Sequence, residues 1–367
     1  MYEDERAWAL INLENIRHNY LEVKKNTDKE IMAILKGDGY GHGDFQTAKI
    51  LSQVGVKNFG VATYEEALNL KDIDAEILIL GFTPQNKLQK VIENRFTQTI
   101  FNYETAEKLS VIAKKLNMRA KIHIKIDTGM HRLGFDTSDK TIEQIKKINT
   151  MENIDIKGIF THLAQSDIPN DKFTYEQYKK FKYITDNLTE IKMLRHISNS
   201  AAIINYPEFE SDLVRTGILL YGISPIKNNK LDLKPALSLK SQIVSIKKIN
   251  TGESVSYNRK FIAQSETLIG IVVIGYADGY PRAASNNMNV IVNGKFAPII
   301  GNICMDYLMI NLNGIDAKIG DEVTLIGSQN NLTISADDLA KTCGTIPYEI
   351  ITTIGKRIPR YYINFAV

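Results

Sequence analysis

Short apolar runs recur through the first two-thirds of the chain. Most of the gaps between them carry apolar residues at helical spacing. A strand-like piece over residues 8–13 precedes a helix over 14–25. Strand-like runs then follow at 31–36, 58–63, 76–81, 97–102, 120–127, 156–163, 193–199 and 213–222. The clearest amphipathic helices between them are 64–70, 103–116, 141–148 and 175–188. Strands alternating with helices imply a parallel sheet. Eight such units in roughly two hundred residues match a (β/α)₈ TIM barrel, with an open doubly wound sheet as the competitor.

From about Leu231 the rhythm changes. Residues 236–249, 267–275, 288–292, 295–300, 308–312 and 322–326 read as strands. Asn293-Gly294 and Asn313-Gly314 are hairpin signals. A short helix is expected at 335–341, and the tail from 350 to 367 reads as strand. The fold class is therefore α/β + β: an N-terminal (β/α)₈ barrel over 1–230 and a mostly-β C-terminal domain over 231–367. The first strand, 8–13, is a candidate to pair with the β domain. The only linker signal is the polar stretch 227–230.

Composition narrows the class. The 367 residues are 44% apolar, enough for a real core, and the net charge of +3 gives no nucleic-acid footprint. Lysine pairs such as Lys114-Lys115 are spread out and read as solvated faces. Two distant cysteines, Cys304 and Cys343, fit a reducing compartment. An acidic start without a signal-peptide pattern, and apolar runs too short to span a bilayer, fit a cytoplasmic protein without a membrane segment.

In a barrel, chemistry collects at the C-terminal ends of the strands. Those ends supply Lys36 and Tyr40, then Lys125, Asp127 and Arg132, then His162, His196 with Ser200, and Arg215 with Gly217 and Ile218. Cations outnumber the acids Asp127 and Asp167, which suits a ligand bearing phosphate and carboxylate groups. Lys36 ends an apolar run and enters a turn with glycine at every second position. A lysine walled by apolar residues and cations can lose its proton and attack an aldehyde. Backbone N–H groups at 217–218 and the Ser200 hydroxyl are candidate phosphate donors. Taken singly, His162 and His196 could be core histidines, Ser200 a helix N-cap, and Arg215 half of a structural ion pair.

The ordered motifs resemble those of the alanine racemases, which use pyridoxal 5'-phosphate (PLP). They are Leu35-Lys36-Gly-Asp-Gly-Tyr40-Gly-His-Gly, Lys125-Ile-Asp-Thr-Gly-Met-His-Arg132-Leu-Gly, His196-Ile-Ser-Asn-Ser200-Ala, Arg215-Thr-Gly-Ile-Leu-Leu-Tyr-Gly, Ser256-Tyr257, Ile274-Gly-Tyr276-Ala-Asp-Gly-Tyr-Pro-Arg282 and Cys304-Met305-Asp306. The resemblance covers nearly the whole chain. It implies a barrel followed by a β domain, a Schiff base between PLP and Lys36, and phosphate held by Tyr40, Ser200, Gly217 and Ile218. It places Arg215 at the pyridine nitrogen with His196 behind it, which makes the ring a weaker electron sink than a carboxylate partner would.

The same resemblance implies two bases, Lys36 and Tyr257, on opposite faces of the substrate Cα. Tyrosine needs nearby positive charge to act as a base, and His162, linked to Arg215, is the implied neighbour. Tyr257 would reach the partner subunit's barrel, so a homodimer with shared active sites is implied. Arg132 and the Met305 backbone would bind the carboxylate of a small amino-acid substrate, and Lys125 would be carbamylated. Asp167, Tyr276, Arg282 and Lys356 match the entry channel. No metal site is implied.

Three departures bear on substrate. Asn302 and Lys356 replace an arginine and a tyrosine common in relatives, and Gly37-Asp38-Gly39 replaces the usual Ala-Asn-Ala. The implied activity is racemisation of alanine, supplying D-alanine for peptidoglycan. A serine or broad-specificity racemase is the alternative. A PLP-binding carrier without turnover, or a decarboxylase on the related two-domain fold, would be expected to lack the Tyr257 domain or Arg215 respectively.

Overall fold

The computed structural model describes residues 4–227 and 230–364. Residues 1–3 of the acidic start, 228–229 of the polar stretch and 365–367 of the tail lie outside the described residues. The chain divides into two compact units: Ile16–Tyr40 with Asp44–Lys234, and Met1–Asn15 with Gly41–Gly43 and Pro235–Val367.

The chain's first strand, β1 (Ala7–Asn12), belongs to the second of these and is taken up below. The other unit is built on eight strands: β2 (Glu30–Ile34), β3 (Asn58–Val61), β4 (Glu76–Ile79), β5 (Thr97–Ile100), β6 (Ala120–Lys125), β7 (Ile154–Phe160), β8 (Leu194–His196) and β9 (Leu213–Thr216). They form one sheet in the order β8-β7-β6-β5-β4-β3-β2-β9. Every pairing in it is parallel. Two backbone bonds bring β8 and β9 together, from Asp212 N to Arg195 O and from Arg215 N to Ser198 O, both 2.9 Å. The barrel is thus nearly closed. Its strands are covered on both faces, which is why they read as unbroken apolar runs. Ile122, Ile124 and Ile126 pack with Ile145, Ile148, Phe181 and Ile184 of the covering helices.

The β unit is a nine-stranded sheet plus a two-stranded ribbon. Its long strand β10 (Leu237–Ile249) bends and pairs with three neighbours. β1 lies antiparallel to β10 and parallel to the last strand, Arg360–Ile363, so the expected pairing of the first strand with the β domain is found. Asn293 (φ 48°) and Gly294 (φ 74°) make the expected tight hairpin between Asn289–Val292 and Lys295–Pro298.

Three sequence expectations need correction. Asn313-Gly314 is a plain turn, with Ile315 N bonding Leu312 O at 2.9 Å. The strands flanking it, Leu308–Asn311 and Glu322–Gln329, pair with other partners. The run 213–222 stops as a strand at Thr216; after Gly217 it winds into a 3₁₀ turn, Ile218–Tyr221. The tail is not strand throughout: Pro347 at the first helical position starts a helix to Thr352.

Candidate active site

Lys36 follows β2 and opens a single turn of left-handed helix. Gly37, Asp38, Gly39 and Tyr40 have φ of 66°, 52°, 60° and 53°. Gly39 N closes the turn on Leu35 O at 2.8 Å. L-residues pay about 1–2 kcal/mol each for this hand, and glycines at 37 and 39 avoid that cost. The Glu66 carboxylate clamps the turn, accepting from Gly37 N at 2.8 Å and Ala62 N at 2.6 Å. The Lys36 side chain meets solvent yet is crowded by protein atoms. That crowding pulls its pKa below the ordinary lysine value; Arg132 and Arg215 add to the effect and Glu66 opposes it.

Around Gly217 the backbone is bare by necessity. A Cβ there would lie 2.6 Å from the Tyr40 hydroxyl. Tyr40 leans on Tyr221, with ring centroids 5.1 Å apart. Gly217 N donates to Ser200 Oγ at 3.0 Å. Ser200 is not the N-cap: Asn199 caps the helix Ser200–Asn205, accepting from the N–H groups of Ala201 and Ala202. The Ser200 hydroxyl is thereby left to the site.

Arg215 is buried, and its guanidinium meets no carboxylate among the described residues. It donates to the carbonyls of His196 (2.9 Å), Thr161 (2.9 Å) and Ile197 (3.1 Å). It also donates to Nδ1 of His196 at 3.1 Å and of His162 at 3.4 Å. Phe160 stacks on the His196 ring at 4.6 Å. Burial pulls Arg215 down to about 9, so it remains a cation at neutral pH. Burial first, and neighbouring cations second, hold His162 well below the ordinary histidine value. His162 is therefore a neutral acceptor, and the cation in this group is Arg215.

Lys125 ends β6 with its ammonium 5.3 Å from the Phe160 centroid and 3.0 Å from Ile126 O. Burial lowers its pKa to about 7, with Arg215 and Arg132 adding to the effect and Asp127 opposing it. Asp127 organises the next loop, accepting from the N–H groups of Gly129 (2.9 Å), His131 (3.1 Å) and Arg132 (3.2 Å). Burial raises the Asp127 carboxyl, but these bonds and Lys125 more than offset it. Arg132 and Asp167 are exposed at the same end of the barrel strands.

The remaining candidates lie in the β unit. Tyr257 is 68% exposed and sits in a strained loop, with Ser256, Asn258 and Arg259 at φ of 66°, 60° and 50°. Asn302 is buried beneath it and donates to Tyr257 O at 2.7 Å, while Ser256 Oγ donates to Asn302 O at 2.5 Å. Met305 and Tyr276 are exposed, as are Arg282 and Lys356. Tyr276 N and Ala277 N bond the carbonyls of Cys304 (3.1 Å) and Met305 (3.0 Å). The buried Asp278 carboxylate pairs with Arg6 and, at 3.4 Å, with Arg357, which reaches Asp306 at 2.8 Å.

In the barrel unit, the structure gathers Lys36, Tyr40, Lys125, Arg132, His162, His196, Ser200, Arg215, Gly217 and Ile218 at one rim, on the strand ends and the turns that follow them. Sequence reasoning missed His123, Phe160, Glu66 and the Asp278–Arg357 pairing. His123 was findable, because it lies two residues before Lys125 on the same strand face. Residues 11–225 match the family model "Alanine racemase, N-terminal domain" and residues 236–362 the model "Alanine racemase, C-terminal domain". "Alanine racemase 1" of Clostridium acetobutylicum is 43% identical, covering 98% of this chain and 95% of that protein. The alanine racemase structure of Clostridium difficile superposes with a TM-score of 0.93 at 38% identity, over 98% of this chain and 96% of that one. The Bartonella henselae alanine racemase structure, described with covalently bound pyridoxal phosphate, gives 0.88 at 32% identity over 98% and 99%. With both domains matched and relatives alike from end to end, the chain belongs to the alanine racemase family.

Proposed function

We propose that this protein interconverts L- and D-alanine with PLP as cofactor, Lys36 and Tyr257 serving as the two bases. The observation that carries the reading is Arg215: a buried cation, held by carbonyls and neutral histidines rather than by a carboxylate, at the rim where Lys36 emerges. The residues fit the cofactor. Lys36 offers an amine with a depressed pKa, the Ser200 hydroxyl, whose oxygen accepts from Gly217 N, offers a donor, and the missing Cβ of Gly217 lets Tyr40 approach.

PLP, when bound, supplies an aldehyde for the amine and a ring that draws electrons from Cα. Lys36 would hold it, with Tyr40, Ser200, Gly217 and Ile218 at its phosphate and Arg215, backed by His196 and His162, at the ring nitrogen. A permanent cation there keeps that nitrogen unprotonated and moderates electron withdrawal, which favours proton removal and return over transamination. Arg132 and the Met305 backbone would bind the substrate carboxylate. Lys125, near neutrality in its amine form, is suited to carbamylation; the resulting anion would orient Arg132. Asp167, Tyr276, Arg282 and Lys356 would line the entry.

A base on each face of Cα exchanges the proton without the substrate turning over. In the proposed homodimer each chain lends its Tyr257 to the other's barrel, and the exposure of Tyr257 (68%) and Met305 (53%) on the β unit supports this. Among the described residues no helix is long and apolar enough to cross a membrane. A cytoplasmic supply of D-alanine for peptidoglycan is the proposed role.

The test is a visible absorption spectrum of the purified protein, followed by an amino-acid panel resolved by chiral chromatography. A PLP band and rapid exchange of L- and D-alanine are expected. A protein without the band overturns the cofactor assignment. A large preference for serine, on which Asn302 and Lys356 bear, overturns the substrate.

A further inference from the structure

The Arg215–His196 contact continues inward. His196 Nε2 lies 2.9 Å from His123 Nδ1, with both rings buried. Three side chains from three strands, β9, β8 and β6, therefore form one file across the barrel interior. Its outer end, His123, lines a cavity of about 930 Å³ at the N-terminal ends of the strands, together with Met32, Asn58, Glu76, Thr97 and Asp155. The file runs from the rim that carries Lys36 to the opposite mouth.

Donor counting fixes its polarity. Arginine has only donors, so His196 Nδ1 must accept. A neutral His196 then carries its hydrogen on Nε2 and donates to His123 Nδ1, and a neutral His123 carries its hydrogen on Nε2, toward the mouth. Burial of both rings, with His123 held down to about 3, keeps them neutral. The reverse tautomer would set N–H against N–H at 3.1 Å. A bulge in β7 sets Gly158 opposite the His123 ring and makes room for it. The ring lies flat on that glycine, where a Cβ would come within 2.5 Å of Cε1.

We propose that His123 is a positioning residue, which accepts the Nε2–H of His196 and so keeps that ring, with its bare Nδ1, aimed at Arg215. The ring behind the cation is thus anchored from the far mouth of the barrel, while three carbonyls hold the cation itself. The kinetic part of this proposal rests on the reading that Arg215 serves the cofactor ring; the tautomer part does not.

The test uses the full chain labelled with [¹⁵N]histidine, with and without PLP, and two variants. His123→Gln keeps an acceptor at this position; His123→Leu removes it. In the parent protein His196 should read as the Nε2–H tautomer in both states. Arg215 should keep that tautomer in both variants. His123→Gln should preserve the hydrogen bond from His196 Nε2–H and His123→Leu should lose it, read as a shift of the Nε2 resonance. An outer partner that orients a functional group is worth about 10- to 100-fold. His123→Leu should therefore lower kcat for L-alanine by that factor, leave KM nearly unchanged and shift the cofactor absorption band, and His123→Gln should restore most of the loss. A parent His196 bearing its hydrogen on Nδ1 overturns the proposal without any variant. So does an unchanged kcat and spectrum in folded His123→Leu. Absence of racemisation in the parent would instead overturn the functional reading and leave the tautomer result standing.

Discussion

Replacing Gly39 by alanine isolates the handedness of the lysine turn. Alanine at φ 60° costs about 1–2 kcal/mol. The stiffer unfolded chain returns about 0.4–1 kcal/mol. The net is about 0–1.6 kcal/mol, and Gly39 belongs at the upper end, because its new Cβ would lie 3.2 Å from Asp44 N. Gly344 is the control: its φ is 70°, in the same left-handed region as Gly39, and nothing lies within 4 Å of a Cβ added there. Gly344→Ala reports the backbone cost alone, and the difference between the two variants reports the Asp44 contact. Urea midpoints at constant slope give both values. Activity of folded Gly39→Ala should stay within about threefold of the parent, because Asp38 and Tyr40 already adopt this hand and Glu66 still clamps the turn. A Gly39→Ala protein as stable as the parent, or less affected than Gly344→Ala, would refute the reasoning.

Tyr257→Phe should slow racemisation in both directions by about 10²–10⁴-fold while leaving the melting temperature nearly unchanged, since it removes only a hydroxyl and keeps the ring; near-normal exchange of the Cα proton into heavy water would remove it as a base. Asn302→Ala frees the Tyr257 carbonyl and should lower kcat about tenfold, the worth of one such bond, with a smaller change in KM. Lys125 gives a pH dependence with a definite sign. Its folded pKa of about 7 lies below the ordinary lysine value, so the unfolded chain binds more protons in between. In carbon-dioxide-free buffer, stability should therefore rise with pH from about 7 toward the ordinary lysine value near 10.4. Added bicarbonate at pH 8 should raise both stability and activity. Lys125→Gln should abolish both responses, as read by thermal melts and rates in matched buffers.

The barrel was legible because its strands are buried on both faces and read as continuous apolar runs between amphipathic helices. What stayed hidden depended on groups distant in sequence. Glycines at 37 and 39 announce a turn, but its hand emerges only where Gly39 N meets Leu35 O and Glu66 reaches back from a neighbouring helix. The apolar run after Pro347 looks like a strand until the proline is counted as a helix start. Asn302 resembled a lost channel arginine, yet its amide is turned inward to a carbonyl 45 residues away in sequence. His123 sat mid-strand, outside the rim on which attention to strand ends falls.

The pairing of β1 has a consequence for biosynthesis. Its ladder partners begin at Leu237, so this strand must wait for more than two hundred further residues to be made. At about 5–20 residues per second that delay is roughly 10–50 s. Throughout it, Trp8 and Ile11 have no sheet to join, and nascent chains should be most vulnerable to misassociation at this strand.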